Sequence, residues 1–135
     1  MMEEILRQIA IDNGWGYLYG TQAYQNLIDS DDTNVQMIVD PITIESNFND
    51  SGAVESSLES GTFYLVLSSE LDEGDYETRY EKYIEPLRSS LKIVTDVLQC
   101  NDNVTQKSWK TVEVINMLDN NYDGIMVTYS VNCHE

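Results

Sequence analysis

The sequence predicts an α+β fold: one domain spanning residues 1–135, with a mostly antiparallel or mixed sheet, a long helix at about 80–98 and a short N-terminal helix packed on it. Three observations carry this reading. A length of 135 residues suits one hydrophobic core and is too short for two. Tyr80, Ile84, Leu87, Leu91, Val94 and Leu98 recur at alternating steps of four and three, which puts all six on one helical stripe. Three segments, Val35 to Val39, Thr62 to Leu67 and Trp109 to Asn132, are rich in the β-branched and aromatic residues that suit a pleated, half-buried surface.

In chain order, Glu3 to Asp12 places Ile5, Leu6, Ile9 and Ala10 on one side, the spacing of a short amphipathic helix. Glu3 and Glu4 lie in its first turn, where negative charge complements the helix dipole, and Asn13-Gly14 stops it. The aromatic run Trp15-Gly16-Tyr17-Leu18-Tyr19-Gly20, followed by Tyr24, Leu27 and Ile28, is expected to pack this helix onto the sheet. A platform for stacked bases would interleave such aromatics with cations, and none are present. Asp29-Ser30-Asp31-Asp32 reads as a solvated acidic turn. The strand beginning at Val35 ends at Asp40-Pro41, because proline pushes its predecessor to extended geometry, and Ile42-Thr43-Ile44 continues it past a bend. Residues 45–61, polar with an isolated Phe48, read as a long loop of the length that is usually either functional or disordered until a partner arrives. Thr62 to Leu67 is a strand, and Glu70 to Glu77 is an acidic connection.

Pro86 sits inside the long helical pattern. Proline removes a hydrogen bond from a helix interior but is welcome in a first turn, so the helix either begins at Glu85 behind a preceding turn or kinks there. Ile93 and Val97 widen its apolar stripe, and Glu85 is a one-turn partner for Arg88. Asn101-Asp102-Asn103 ends it. The strand from Trp109 to Leu118 alternates with apolar residues in both phases, implying partial burial on both faces. After Asp119-Asn120-Asn121-Tyr122-Asp123-Gly124, the residues Ile125, Val127, Tyr129 and Val131 form one apolar face of a second strand.

Charge is the least ordinary property. Asp and Glu number 24 against 7 Lys and Arg, a formal charge of -17. Residues 8–78 contain 14 carboxylates and no Lys or Arg. Such a field repels nucleic acid and anionic membranes, which excludes a groove gripping phosphates. Two opposite uses stay open: a surface that DNA slides past, and one that imitates DNA to occupy a basic partner. Four of the seven cations, Arg79, Lys82, Arg88 and Lys92, line the long helix. They form either a solvated face or a surface that meets the acidic side of another copy.

Catalytic and metal-binding patterns are sparse. Asp119, Asn121, Asp123 and Gly124 fit the first half of a calcium loop. The loop's twelfth position is Ser130 rather than a bidentate Glu, and both flanks read as strands. The segment is expected to be a hairpin turn, with Gly124 supplying a positive φ, and Asp119, Asn121 and Asp123 stand only as a weak metal candidate. No nucleophile elbow, phosphate loop or zinc-protease pattern is present, and the one histidine, His134, is penultimate, where termini are commonly disordered. Cys100 and Cys133 lack metal-ligand spacing and read as two reduced thiols. No catalytic residue, cofactor or enzymatic activity is assigned. With no basic segment leading into an apolar stretch, and no run of about 18 apolar residues, the chain is expected to be intracellular at synthesis, without a membrane partner.

The succession of helix, aromatic Gly-rich segment, strand, loop, strand, long helix and two-strand hairpin, in an acidic chain of about 135 residues, resembles the tail-terminator and tail-completion proteins of tailed bacteriophages, and the head-to-tail connector proteins that share their fold. The resemblance spans nearly the whole chain and is carried by Asn13-Gly14-Trp15-Gly16-Tyr17, Val39-Asp40-Pro41, Phe63-Tyr64-Leu65-Val66-Leu67 and Asp123-Gly124-Ile125-Met126-Val127. It is a likeness of architecture without a diagnostic motif. It implies a virion protein, made in the host cytoplasm, that forms a ring with itself, commonly six-fold, at the head-to-tail junction or tail end. Other neck or tail proteins would be its partners, and DNA a repelled, passing cargo. Asp50, Glu55, Glu59, Arg79, Lys82, Arg88 and Lys92 are the candidates for the subunit interface or lumen. The competing expectation is a small acidic inhibitor or immunity protein that mimics DNA and blocks a basic nucleic-acid-binding enzyme.

Overall fold

A computed structural model of the chain describes residues 1–20, 35–68, 80–117 and 122–134. Among these residues, helix α1 (Met2–Asn13) is followed by strands β1 (Gly16–Tyr19), β2 (Gln36–Val39), β3 (Thr43–Phe48) and β4 (Val54–Ser68). A π-helical turn (Tyr80–Ile84) then leads into helix α2 (Glu85–Gln99), and strands β5 (Val104–Met117) and β6 (Tyr122–His134) complete the order. The strands form one mixed sheet in the order β1-β2-β4-β6-β5, with β3 paired to β4 beside β2. Only β1 and β2 run parallel. The fold is α+β, as the periodicities predict.

Strand β4 is the spine. It pairs along its length with β6, from Ser56 opposite His134 to Ser68 opposite Tyr122. On its other side its first half pairs with β3 and its second half with β2. The chain does continue past the bend at Pro41, since β2 and β3 lie one after the other along the same neighbour. Asp40 N bridges the gap by donating to Thr62 O.

Alternation along the strands gives the sheet two unlike faces. Met37, Val39, Phe63, Leu65, Ile125, Val127, Tyr129 and Val131 face the helices and join Met2, Leu6, Ile9, Leu87, Val94 and Leu98 in one core. Phe63, Trp109 and Tyr129 pack as an aromatic trio with ring centroids 5.8–6.4 Å apart. Trp15 and Tyr17 pack against the same core, and Tyr17 Oη donates to Glu3 Oε1 at 2.9 Å, so β1 does tie α1 to the sheet. Gly14, at φ +71°, closes α1 in the left-handed conformation that glycine adopts at no steric cost. Pro86 occupies the first turn of α2; of the two arrangements open for it, the helix takes the start at Glu85 behind a preceding turn.

Several expectations are corrected. Residues 45–61 are not a loop: they form most of the β3–β4 ribbon, turned at Asn49–Gly52. Asn49 Oδ1 accepts from Ser51 N and Ala53 N, Gly52 N donates to Asn49 O, and Gly52 takes φ +82°. Every residue of β3 is exposed, so neither of its faces needed the apolar alternation by which a strand is read. Strand β5 starts five residues before Trp109, and Lys110, Thr111 and Val112 are exposed. It is an edge strand, and the partial burial expected on both faces is confined, among its residues from Trp109 to Val114, to Trp109 and Glu113 on one face and Val114 on the other. Ile93 and Val97 are 38% and 40% exposed and lie at the margin of the α2 stripe. Gly124 does not supply a positive φ; it allows close approach, since a Cβ there would stand 2.1 Å from Leu65 O. His134 is in strand β6, with its backbone N donating to Asn103 O.

Candidate functional site

The sequence candidates separate into three groups. Asp50 lies in the ribbon turn and Glu55 just after it on β4, both exposed. With Glu45 on β3 they make the exposed rim of the ribbon acidic, and residues 43–60 contain no Lys or Arg. The ribbon also carries exposed apolar side chains: Ile44 at 59%, Phe48 at 62% and Val54 at 38%. Asn and Gly set the turn and Ser-rich strands pair through their backbones, so the ribbon needs no core of its own.

Glu59 belongs elsewhere. It is 3% exposed, on the helix-facing side of β4, and its Oε1 accepts from Met2 N at 3.1 Å. The Met1 amine lies 3.6 Å from the same oxygen. A carboxylate can be buried when donors and a positive charge surround it, and this one holds the start of α1 against the sheet. Glu59 is thus removed from the interface and lumen candidates. Burial first, and then the nearby Glu59 carboxylate, pushes the Cys133 thiol up to about 12. Tyr129 Oη is buried nearby without a hydrogen-bond partner, and burial followed by the Glu59 charge raises its phenol.

The helix cations form the third group. Arg88 pairs with Glu113 of β5 at 2.8 Å and reaches Tyr80 Oη, rather than Glu85. Lys92 pairs with Asp96 at 2.8 Å, and Lys82 lies 5.5 Å from the Tyr83 ring centroid. Half-exposed pairs of this kind add little stability, but they direct Arg88 and Lys92 to carboxylates of their own chain. Arg79 lies outside the described residues, as do the Tyr24–Ile28 and Asp29–Asp32 segments, Glu70 to Glu77, Asp119 and Asn121. Asp123 is fully buried in β6. Strands β5 and β6 pair as a hairpin with Met117 opposite Tyr122, so Tyr122, Asp123 and Gly124 belong to the strand and not to the turn expected from the sequence. Among the described residues, no group of three or more His, Cys, Asp or Glu is placed to hold a metal.

Two residues that sequence reasoning passed over complete the picture. Lys107 and Lys110 are exposed on β5, in a stretch, 103–112, with no carboxylate. Neither has an ion-pair partner among the described residues, unlike Arg88 and Lys92. The available signal was local charge: in so acidic a chain, ten residues with two cations and no acid are unusual. Gln106, adjacent to the bulge at Lys107, has a buried Nε2 without a partner.

An open depression of about 620 Å³ lies at the C-terminal end of α2, lined by Asp96, Val97, Cys100 and Asn101. A groove of about 340 Å³ between α1 and α2 is lined by Ile5, Ile9, Asp12 and Val97, and one of about 200 Å³ lies beside the Arg88–Glu113 pair. No helix among the described residues is long and apolar enough to cross a membrane. No protein-family model and no curated protein matches this chain.

Proposed function

We propose that the chain is a non-catalytic structural subunit of a bacteriophage virion, assembling into a ring at the head-to-tail junction or tail end whose acidic surface lets DNA pass. The observation that carries the reading is the β3–β4 ribbon: it is exposed along all of β3, acidic at Glu45, Asp50 and Glu55, and without a cation over residues 43–60. A ribbon whose apolar residues Ile44, Phe48 and Val54 face solvent suits contact with another protein. Its carboxylates repel a polyanion at short range. The resemblance to tail-terminator and connector proteins is one of element order, with the β3–β4 ribbon standing where that order expects a loop. A DNA mimic would use the charge in the opposite sense and would also contact a protein, so the assembly state is what separates the two.

The test is the assembly state of the purified chain, by light scattering and negative-stain microscopy, with a mobility-shift assay on double-stranded DNA. Closed rings that leave DNA unshifted at physiological salt are expected. A chain that stays monomeric while capturing a basic nuclease stoichiometrically would replace this reading with that of an inhibitor.

A further inference from the structure

We infer that copies of this chain join edge to edge, strand β3 of one pairing antiparallel with the first half of strand β5 of the next. The inference deepens the ring reading and rests on it for the closure of the assembly. Both strands have an edge that no described strand covers, and an open edge presents unpaired N–H and C=O groups ready to accept another strand.

The sense of the pairing follows from the topology. Strand β3 is antiparallel to β4, β4 is antiparallel to β6, and β6 is antiparallel to β5. Within one copy β3 and β5 therefore run in opposite directions. When a second copy continues the sheet in the same orientation, its β5 meets β3 antiparallel, the commoner and slightly more stable arrangement. The two edges are different surfaces, so the contact is head-to-tail, the type that generates rings when its rotation closes.

Face and charge agree with this sense. Glu45 is paired with Leu58 on β4, and Lys110 with Thr128 on β6. Both positions lie on the sheet face away from the helices, because their neighbours Glu59 and Val127 point to the core. Setting Glu45 opposite Lys110 places Ile44 opposite Thr111 and Ser46 opposite Trp109, all four on the helix side. Lys107, the extra residue of the β5 bulge, then falls opposite Phe48, beside the turn that holds Asp50. Pairing ends with Thr43 opposite Val112; β1 flanks β2 on that same side of the sheet, so the incoming β5 must leave the plane beyond Val112, where its own ladder is irregular between Val114 and Met117. In a chain of net charge -17, a carboxylate-only edge and a lysine-only edge form a combination that permits self-association in one way.

Charge reversal tests the contact. Glu45→Lys and Lys110→Glu should each raise the concentration for half-assembly on the order of tenfold or more, with circular dichroism unchanged, because both positions are exposed. The double variant should recover assembly. In a Cys100→Ser background, Glu45→Cys with Lys110→Cys should give an intermolecular disulfide ladder under mild oxidation. Wild-type chain that stays monomeric at high concentration, single variants that assemble normally, or a ladder that fails to form would each overturn the edge pairing. If assembly persists as closed rings in the single variants, the edge contact fails and the ring reading stands. If edge-dependent assembly gives open filaments instead, the ring reading fails and the contact stands.

Discussion

Cys133 and Cys100 carry the same side chain in opposite surroundings. Cys100 is exposed and Cys133 is buried, with its thiol held up to about 12 by burial and then by Glu59. The folded chain therefore keeps this proton to higher pH than the unfolded chain, whose thiol titrates at the ordinary 9.0. The stabilisation is complete below about pH 9 and is lost as pH rises through about 12. Denaturant midpoints should accordingly fall between pH 8.5 and 11, and Cys133→Ala should flatten part of that fall; an unchanged slope would contradict the linkage. At pH 8 a thiol reagent should modify Cys100 in the native protein and reach Cys133 only after unfolding, since the thiolate is the reactive form. None of this was legible in the sequence. A cysteine and a glutamate separated by 74 residues meet only because β4 and β6 pair, and nothing in the sequence distinguishes Glu59 from the other interface and lumen candidates, Asp50 and Glu55.

At the scale of elements, the helices and the apolar strands were readable because their periods coincide with a buried stripe or face. Leu87, Val94 and Leu98 are fully or almost fully buried, and β6 alternates cleanly. The ribbon was not readable, because both faces of β3 meet solvent and its Ser, Asn and Glu residues have no reason to alternate. Gly124 departs from its expected role for a related reason. Turn glycine and close-approach glycine are alike in sequence, and only the registry of β6 against β4 distinguishes them. With Leu65 O and Val66 Cα at 2.1 and 2.7 Å from a would-be Cβ, backbone must move to admit even alanine. Gly124→Ala should cost roughly 3 kcal/mol in the free energy of unfolding. Gly52→Ala should cost about 1 kcal/mol: space around Gly52 is open, and only its positive φ opposes a side chain. Equal losses at the two sites in a urea titration would refute the distinction.

For the molecule as a whole, the acidic excess was evident from composition, but its distribution was not. Arg88 and Lys92 are engaged within the chain, whereas Lys107 and Lys110 face outward with no ion-pair partner among the described residues. A charge of -17 repels every approaching copy, and the repulsion extends over about 30 Å at 0.01 M salt but only about 10 Å at 0.1 M. Raising salt across that range should promote assembly measured by sedimentation, since backbone pairing is unaffected by screening. Weaker assembly at 0.1 M than at 0.01 M would mean that a few attractive ion pairs dominate the association.

Strand β4 gives the fold a further property. It is held to β6 from Ser56 to Ser68 in thirteen consecutive pairs, and the ribbon tip is the extension of that same strand. Ladder hydrogen bonds run perpendicular to the strands, so a pull on the tip along β4 loads them in shear and together, instead of peeling them one at a time. The part of the molecule that reaches outward is thus the end of its stiffest member, and a force arriving there is delivered straight into the centre of the sheet.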